Sequence, residues 1–381
     1  MKHKYQVIIV GAGPAGSTLA YHLAIGGTGV LVLDRAVFPR YKCCAGGLTV
    51  KAAKLLDINI DGLADDVISG AVVSFAGKHP YYGHSNERIM YTVMREKFDH
   101  ALLKRAQEAG ADVLQGAEAR ATRTSNTGVE VSTSVGEFTG EFIVGADGAR
   151  SRVAKAIGAA NHKARIAGIE AEVKVGSEDF ARWKSQIGID FGRIRGGYGW
   201  VFPKTSHLSV GIGCPADKAA GLKHVFSEYL DSLRFGQYTI MKWAGGLLPV
   251  CMGEPVVAQG RAILLGDAAG LADPLTGEGL HSAILSAQLA AASIEKALAR
   301  GDITLDDYSD AVATAIVPQM KMAVIFLKAL FHLPTELFRV LNKDQRVWRA
   351  CCNMLRGEMD YISLKNRVTS PGKLYSFISH I

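Results

Sequence analysis

Residues 5–35 read YQVIIVGAGPAGSTLAYHLAIGGTGVLVLDR, and this stretch decides the fold. Val7 to Val10 form a β-branched run of the kind found in parallel strands buried on both faces. Gly11, Gly13 and Gly16 follow at once, and a helix-like segment runs from Pro14 to about Ile25. A second apolar strand, Val30 to Leu33, ends in Asp34, 18 residues after the last glycine. Strand, G-x-G-x-x-G, helix, strand and acid form the dinucleotide fingerprint in its proper context. Gly11 permits a tight turn, Gly13 admits a pyrophosphate, and Gly16 lets helix and strand approach. Pro14, Ala15 and Gly16 open a helix whose free N–H groups face the phosphates. Asp34 can accept hydrogen bonds from ribose hydroxyls, with Arg35 beside it.

Working outward, 381 residues suggest two domains or one large composite fold. A hydrophobic content of 48 % with 21 % charged residues is that of a globular chain with an ample core. The net charge is +7, but the basic residues are scattered. Nucleic-acid binding is therefore not expected, whereas a surface facing anionic lipids or phosphates is. No apolar run reaches the ~18–20 residues of a membrane span. The chain opens directly into its first strand, so no leader is expected. The six cysteines make no C-x-x-C and no ferredoxin-like cluster, which fits a reducing cytoplasm.

After Asp34, the prolines and glycines of AVFPRYKCCAGGLTV forbid regular structure until a helix near Thr49. Asp65 to Arg88 reads as short strands. Met94 to Ala109 is an amphipathic helix opened by Arg95 and stopped at Gly110. Val113-Leu114 is a strand, and 129–135 with 138–144 form a β-meander that runs into Asp147. Residues 165–213 turn mainly β. The strand Ala262–Leu265 meets Gly266-Asp267, and a small-residue helix follows from Gly277 to Leu298. From Asp306 the chain is helical, broken at Pro318, Pro334 and Pro371.

The expected architecture is α/β. A Rossmann-like domain covers 1–160 and 245–300, with 65–90 free to join its neighbour. An inserted, mainly antiparallel sheet domain covers 161–244, and a helical segment covers 301–381.

Asp34, Asp147 and Asp267 each follow a strand and sit in or beside a glycine turn. Alone, they read equally as helix caps. Together, GAGPAG, ADGARS and GDAAGLADP resemble the flavoprotein superfamily of aromatic hydroxylases, flavin halogenases and isoprenoid reductases. The resemblance implies FAD rather than NAD. It places Asp267 at the ribityl chain and Gly279 and Leu280 near the ring, with Gly266, Pro274 and Gly277 as further cofactor-binding residues. Arg95 resembles the family arginine that reaches the cofactor, or else is a solvated surface charge, and Ala119 corresponds to a backbone contact at the adenine end.

Two further stretches resemble the geranylgeranyl reductase family: K-x-C-x-G-G at Lys42–Gly47, and Y-x-W-x-F-P at Tyr198–Pro203 with G-x-G at Gly211–Gly213. The resemblance covers residues 1 to about 300. It implies reduction of isolated C=C bonds in prenyl chains, with hydride from reduced flavin and a proton from elsewhere. Cys44 holds the family cysteine position, with Ala45, Gly46 and Gly47 near the flavin. Its roles stay open among proton relay, redox-gated control and packing. Cys43 stands where some relatives carry proline.

Tyr198, Trp200 and Phe202 alternate along a strand and so share one face. They line a lipid pocket or form an ordinary aromatic core stripe. The implied partners are an isoprenoid lipid and an electron donor, either NAD(P)H or an external protein such as reduced ferredoxin. The segment 317–341 caps the lipid, rests on a membrane surface as a peripheral contact, or packs in a core. The competing reading is a flavin monooxygenase acting on a small aromatic or apolar substrate. A halogenase fits less well, because Tyr198 and Phe202 replace the Trp and Ile of its W-x-W-x-I-P motif. An electron-transfer flavoprotein is weakened by the absence of iron–sulfur cysteines.

Overall fold

The computed structural model describes residues 3–159, 164–332 and 344–368. Two compact units emerge. One comprises Met1–Lys42, Arg95–Ala164 and Leu248–Met320; the other comprises Cys43–Met94, Arg165–Leu247 and Lys321–Ile381.

The first unit is built on an eight-stranded sheet. His3–Val10 runs parallel to Val30–Asp34 on one side and to Glu137–Gly145 on the other, with Ile8 opposite Leu31 and Ile143. Asp112–Gln115 extends the sheet beyond Val30–Asp34, and Ala262–Leu264 extends it beyond Glu137–Gly145, both in parallel. The strand Ala119–Ser125, which the sequence reading lacks, joins Gly128–Thr133 and Glu137–Gly145 in a three-stranded antiparallel meander.

Val7, Ile8, Ile9 and Leu33 are wholly buried, which is why these strands read as unbroken apolar runs. The helix Pro14–Ile25 packs against Arg95–Glu108 and Leu280–Arg300. The last of these begins three residues later than the expected Gly277, because Gly277 adopts φ +68° and belongs to the preceding turn.

The second unit carries a seven-stranded sheet in the order Tyr238–Val250, Ala164–Val175, Leu208–Pro215, Tyr198–Pro203, Gln186–Phe191, Gly70–Phe75 and Lys78–His84. The strands at its centre are antiparallel, while Gln186–Phe191 and Gly70–Phe75 pair in parallel. One face buries Ala171, Val173, Val201, Val210 and Ile212 beneath Trp183, Phe226 and Tyr229. A small antiparallel sheet joins Gly47–Thr49, Met90–Thr92 and Asp66–Ile68. Gly47 thus begins a strand where sequence expects irregular chain.

Pro318 does not break a helix. It is the second residue of Val317–His332, where its missing N–H costs nothing. The interruption falls at Ile316, after Asp306–Ala315. By length and composition, Asp306–His332 is apolar enough to cross a membrane, with a mean hydropathy of 1.5 over its best window. The sequence reading expected no apolar run of membrane-span length, and this helical stretch corrects it. Within it, Tyr308, Val312, Ile316, Val317 and Met320 pack in the first unit's core. Pro334, Pro371 and the end of the 317–341 segment lie outside the described residues.

Candidate active site

In the first unit, the three glycine–aspartate turns follow the carboxyl ends of neighbouring parallel strands. The Gly11 N–H donates to the Leu33 carbonyl at 2.7 Å, and the Ala146 N–H donates to the Val10 carbonyl at 2.8 Å. A Cβ built on Gly11 would sit 2.3 Å from the Ala146 oxygen and 2.9 Å from Asp147 Cα. With φ +105° as well, no other residue fits there. One on Gly16 would lie 1.9 Å from the Gly11 oxygen. The Leu265 N–H donates to the Gly145 carbonyl, which brings the Gly266-Asp267 turn beside the other two. A Cβ on Gly266 would lie 3.7 Å from that of Ala15.

Gly13 differs from its neighbours. A Cβ there would meet only an Arg40 nitrogen, at 3.8 Å. The helix Pro14–Ile25 starts at Gly13 with no side-chain cap, so no capping side chain accepts from its first N–H groups. Arg40 and Arg95 both bind the fully buried Asp99. Arg95 does so through two hydrogen bonds of 2.7 and 2.8 Å, and Arg40 through a contact of 2.9 Å. Two guanidinium groups on one carboxylate leave one positive charge in surplus. Arg40 Nη1 is buried and has no hydrogen-bond partner among the described residues.

Room at Gly13, an uncapped helix N-terminus, surplus positive charge and an unused donor together fit a pyrophosphate. Arg95 is thus a buried ion-pair partner rather than a solvated charge. The sequence reading named Arg95 and missed Arg40 and Asp99.

Asp34 clasps the loop itself, accepting the N–H of Ala12 at 2.7 Å and that of Ala36 at 2.8 Å. Each carboxylate oxygen keeps a second lone pair for a ribose hydroxyl. Arg35 is exposed, and Ala119 is buried at the head of its strand. Asp147 accepts the Arg152 N–H at 2.6 Å, while its Oδ1 has no partner among the described residues. Loss of water around Asp147 pushes its carboxyl up, against hydrogen bonds from Ser151 and the following N–H groups that hold it down. Gly279 caps the 21-residue helix Leu280–Arg300 with no side chain assisting, and a Cβ on it would lie 3.2 Å from Asp267 Oδ1. Pro274 and Gly277 belong to the turn between, where Asp273 accepts the N–H groups of Leu275 and Thr276.

In the second unit, three rows cross the sheet on the face opposite Val201 and Val210. Tyr198 pairs with Gly213 and Gly213 with Gly168; Trp200 pairs with Gly211 and Gly211 with Glu170; Phe202 pairs with Ser209 and Ser209 with Glu172. The expected aromatic face is therefore real. Tyr198 and Trp200 meet edge to face at 6.2 Å, and Phe202 packs with Trp200, Met90 and Trp348. The Trp200 indole lies over the glycines: Cβ atoms on Gly211 and Gly168 would sit 2.1 and 3.6 Å from it.

The Cys44–Gly47 loop is fastened to this unit from two strands. The Cys44 N–H donates to Glu170 Oε1 at 2.9 Å. The buried Lys204 ammonium donates to the carbonyls of Ala45 at 2.7 Å and Val93 at 3.0 Å. Burial lowers the Lys204 pKa, opposed by the negative charges of Asp65, Glu172, Cys44 and Glu170. Gly46 stands at φ +70°, and a Cβ there would strike the Val93 oxygen and Lys204 Nζ. A Cβ on Gly47 would lie 2.8 Å from the Phe202 ring. His207 Nε2 meets Glu172 Oε2 at 2.9 Å. Sequence reasoning missed Lys204, Glu170, Glu172 and His207. The available signal was two glutamates alternating inside the apolar strand IAGIEAEVKV.

Comparison with known proteins points the same way. A family model described as an FAD binding domain matches residues 4–190. Menaquinone reductase of Mycobacterium tuberculosis is 31 % identical over 310 residues, covering 75 % of each chain. Digeranylgeranylglycerophospholipid reductase 1 of Methanopyrus kandleri is 31 % identical over 319 residues, covering 78 % of this chain and 82 % of its own. The crystal structure of a geranylgeranyl bacteriochlorophyll reductase-like protein from Thermoplasma acidophilum superposes with a TM-score of 0.80 at 22 % identity, covering 90 % of this chain and 93 % of that one. The halogenase PltM, solved with phloroglucinol and FAD, shares the fold at a TM-score of 0.75 and 19 % identity, covering 99 % of this chain and 85 % of its own.

Proposed function

The chain belongs to the geranylgeranyl reductase family of FAD-dependent oxidoreductases acting on C=C bonds, and on that premise we propose that it saturates the prenyl chain of an isoprenoid lipid. The observation that carries this reading is the Tyr198–Trp200–Phe202 face with Gly213, Gly211 and Ser209 beside it. Aromatic rings beside glycines suit a prenyl chain and the positive charge that grows as an isolated alkene is protonated. Such a double bond has no carbonyl to polarise, so the pocket must exclude water and hold the chain still.

In this reading, FAD supplies hydride when reduced. Gly13, the first turn from Pro14 to Gly16, and Arg40 hold its pyrophosphate; Asp34 holds a ribose. Asp267 and the Leu280 helix N-terminus take the ribityl chain and the ring edge, where a positive pole favours reduced, anionic flavin. Arg95 and Asp99 orient Arg40. Cys44 serves at the substrate end, and its backbone is held by Glu170. Electrons come from NAD(P)H or an external donor such as reduced ferredoxin. The apolar helix Val317–His332 covers the lipid or contacts a membrane surface from the cytoplasmic side.

The test is anaerobic. The yellow protein is reduced with dithionite and mixed with geranylgeranyl diphosphate, geranylgeranylated glycerophospholipid or menaquinone. Flavin reoxidation with two hydrogens gained per double bond supports the reading and names the head group. Oxygen incorporated into a small aromatic under aerobic turnover would instead make the protein a monooxygenase.

A further inference from the structure

The proposed prenyl face carries groups that do not belong on a greasy wall. Glu170 and Glu172 are 0 % and 4 % exposed, Lys204 1 %, His207 8 % and Ser209 0 %. Burying ionisable groups beside apolar surface is costly, and such clusters gather where a protein moves protons. Glu172 and Phe202 flank Ser209 in one row of the sheet. Directly paired residues bring their Cβ atoms to about 5 Å. The Ser209 hydroxyl is buried without a hydrogen-bond partner among the described residues, and so is His207 Nδ1. His207 Nε2 already meets Glu172. His207 closes a turn whose Thr205 and Ser206 are exposed.

We propose that His207, Glu172 and Ser209 form the path that brings the proton to the prenyl double bond, with Lys204 and Glu170 as positioning residues for the Cys44 loop beside it. The inference rests on the prenyl-reductase reading. Saturating one double bond breaks its π bond and makes two C–H bonds. Hydride from the reduced cofactor supplies both electrons, and one proton completes the product. That proton leaves the Ser209 hydroxyl once it turns into hydrogen-bond contact with its row neighbour Glu172, whose carboxyl replaces it. His207 Nε2–H then restores Glu172, solvent at the 205–206 turn protonates Nδ1, and return of the ring proton from Nδ1 to Nε2 by way of solvent resets the relay. The groups facing this path are Lys204, Asp65, Glu170 and Cys44. Lys204 lies close enough to feel each of these carboxylates, Glu172 and the thiol. Asp65 accepts from the Thr205 hydroxyl at 2.7 Å.

The test uses dithionite-reduced holoenzyme mixed anaerobically with geranylgeranyl diphosphate, with flavin reoxidation followed across pH in H2O and D2O. Glu172→Gln and His207→Gln should slow reoxidation by about 10²-fold or more, the typical share of acid–base catalysis. FAD content and reoxidation by O2 should match the wild type. His207→Gln should also alter the pH dependence of prenyl reoxidation and its ratio between H2O and D2O. Ser209→Ala should be slow, and Ser209→Thr should recover. Variants that keep the wild-type rate and pH profile overturn the relay alone. Equal slowing of prenyl and O2 reoxidation makes the role structural and likewise overturns it. A wild-type protein that reduces no prenyl chain removes the functional reading, and the relay with it.

Discussion

Glu170 and Trp200 pair with Gly211 from opposite sides, so a carboxylate and an indole share one row of the sheet with no side chain between them. A Cβ on Gly211 would lie 2.1 Å from the Trp200 ring, and this ring is not the loose end of a flexible chain. Gly211→Ala should displace the indole and cost about 1–3 kcal/mol of stability through overpacking. Prenyl turnover should fall well before FAD content does. Parallel measurement of bound flavin and anaerobic reoxidation checks this; unchanged turnover would mean the indole does not shape the pocket.

The fingerprint glycines should separate by their surroundings. Gly16→Ala forces a Cβ to 1.9 Å from a backbone oxygen, so the protein should fold poorly or not at all. Gly13→Ala meets no protein atom nearer than 3.8 Å, so the apo-protein should melt near the wild-type temperature. Its FAD affinity should nevertheless fall about tenfold or more, because the added methyl occupies the space of the phosphates. Thermal melting and flavin titration of both variants give the answer.

Asp99 holds two arginines while fully buried. Asp99→Ala leaves their charges uncompensated and should cost about 3–5 kcal/mol, the range for breaking a buried ion pair. Arg40→Met leaves the Arg95 pair intact. It should weaken FAD binding with a smaller loss of stability, since Asp99 loses the Arg40 contact but keeps both hydrogen bonds from Arg95. Denaturant melts of the two apo-proteins, compared with their flavin affinities, test the division of labour.

Lys204 predicts a pH signature. Its folded-state pKa is lowered, chiefly by burial, below the ordinary 10.5. Between those two values the unfolded chain binds a proton that the native state does not, so stability should rise with pH in that window. Below the folded value both states are protonated, and the cost of burying the charge is paid in full. Lys204→Met should flatten the slope. Melting temperature measured from neutral pH to about 10.5 reads it directly; an unchanged slope would assign it to another group.

The first strand–turn–helix–strand was legible because its demands are local. Gly11 is fixed by its own φ and by contact with one backbone oxygen, and the apolar runs by burial. The helix Pro14–Ile25 falls where the residues put it. The convergence of the three turns was legible in part, as a motif set. The geometry adds the reason: their strands are neighbours in a single sheet. Gly277 and Pro318 were misjudged because a glycine's φ and a proline's place within a helical turn depend on neighbouring elements.

What the sequence by itself determined was the dinucleotide fold, the flavin family and the shared face of Tyr198, Trp200 and Phe202, since strand periodicity and glycine requirements act over a few residues. The tertiary structure alone decided that Asp99 gathers Arg40 and Arg95, that Lys204 fastens the Cys44 loop, and that Glu170 and Glu172 lie in register with Trp200 and Phe202. Those pairings join residues from tens to more than a hundred positions apart, apart from the one-turn contact of Arg95 with Asp99. Strand register and burial set them, and a linear reading of residue types does not contain either.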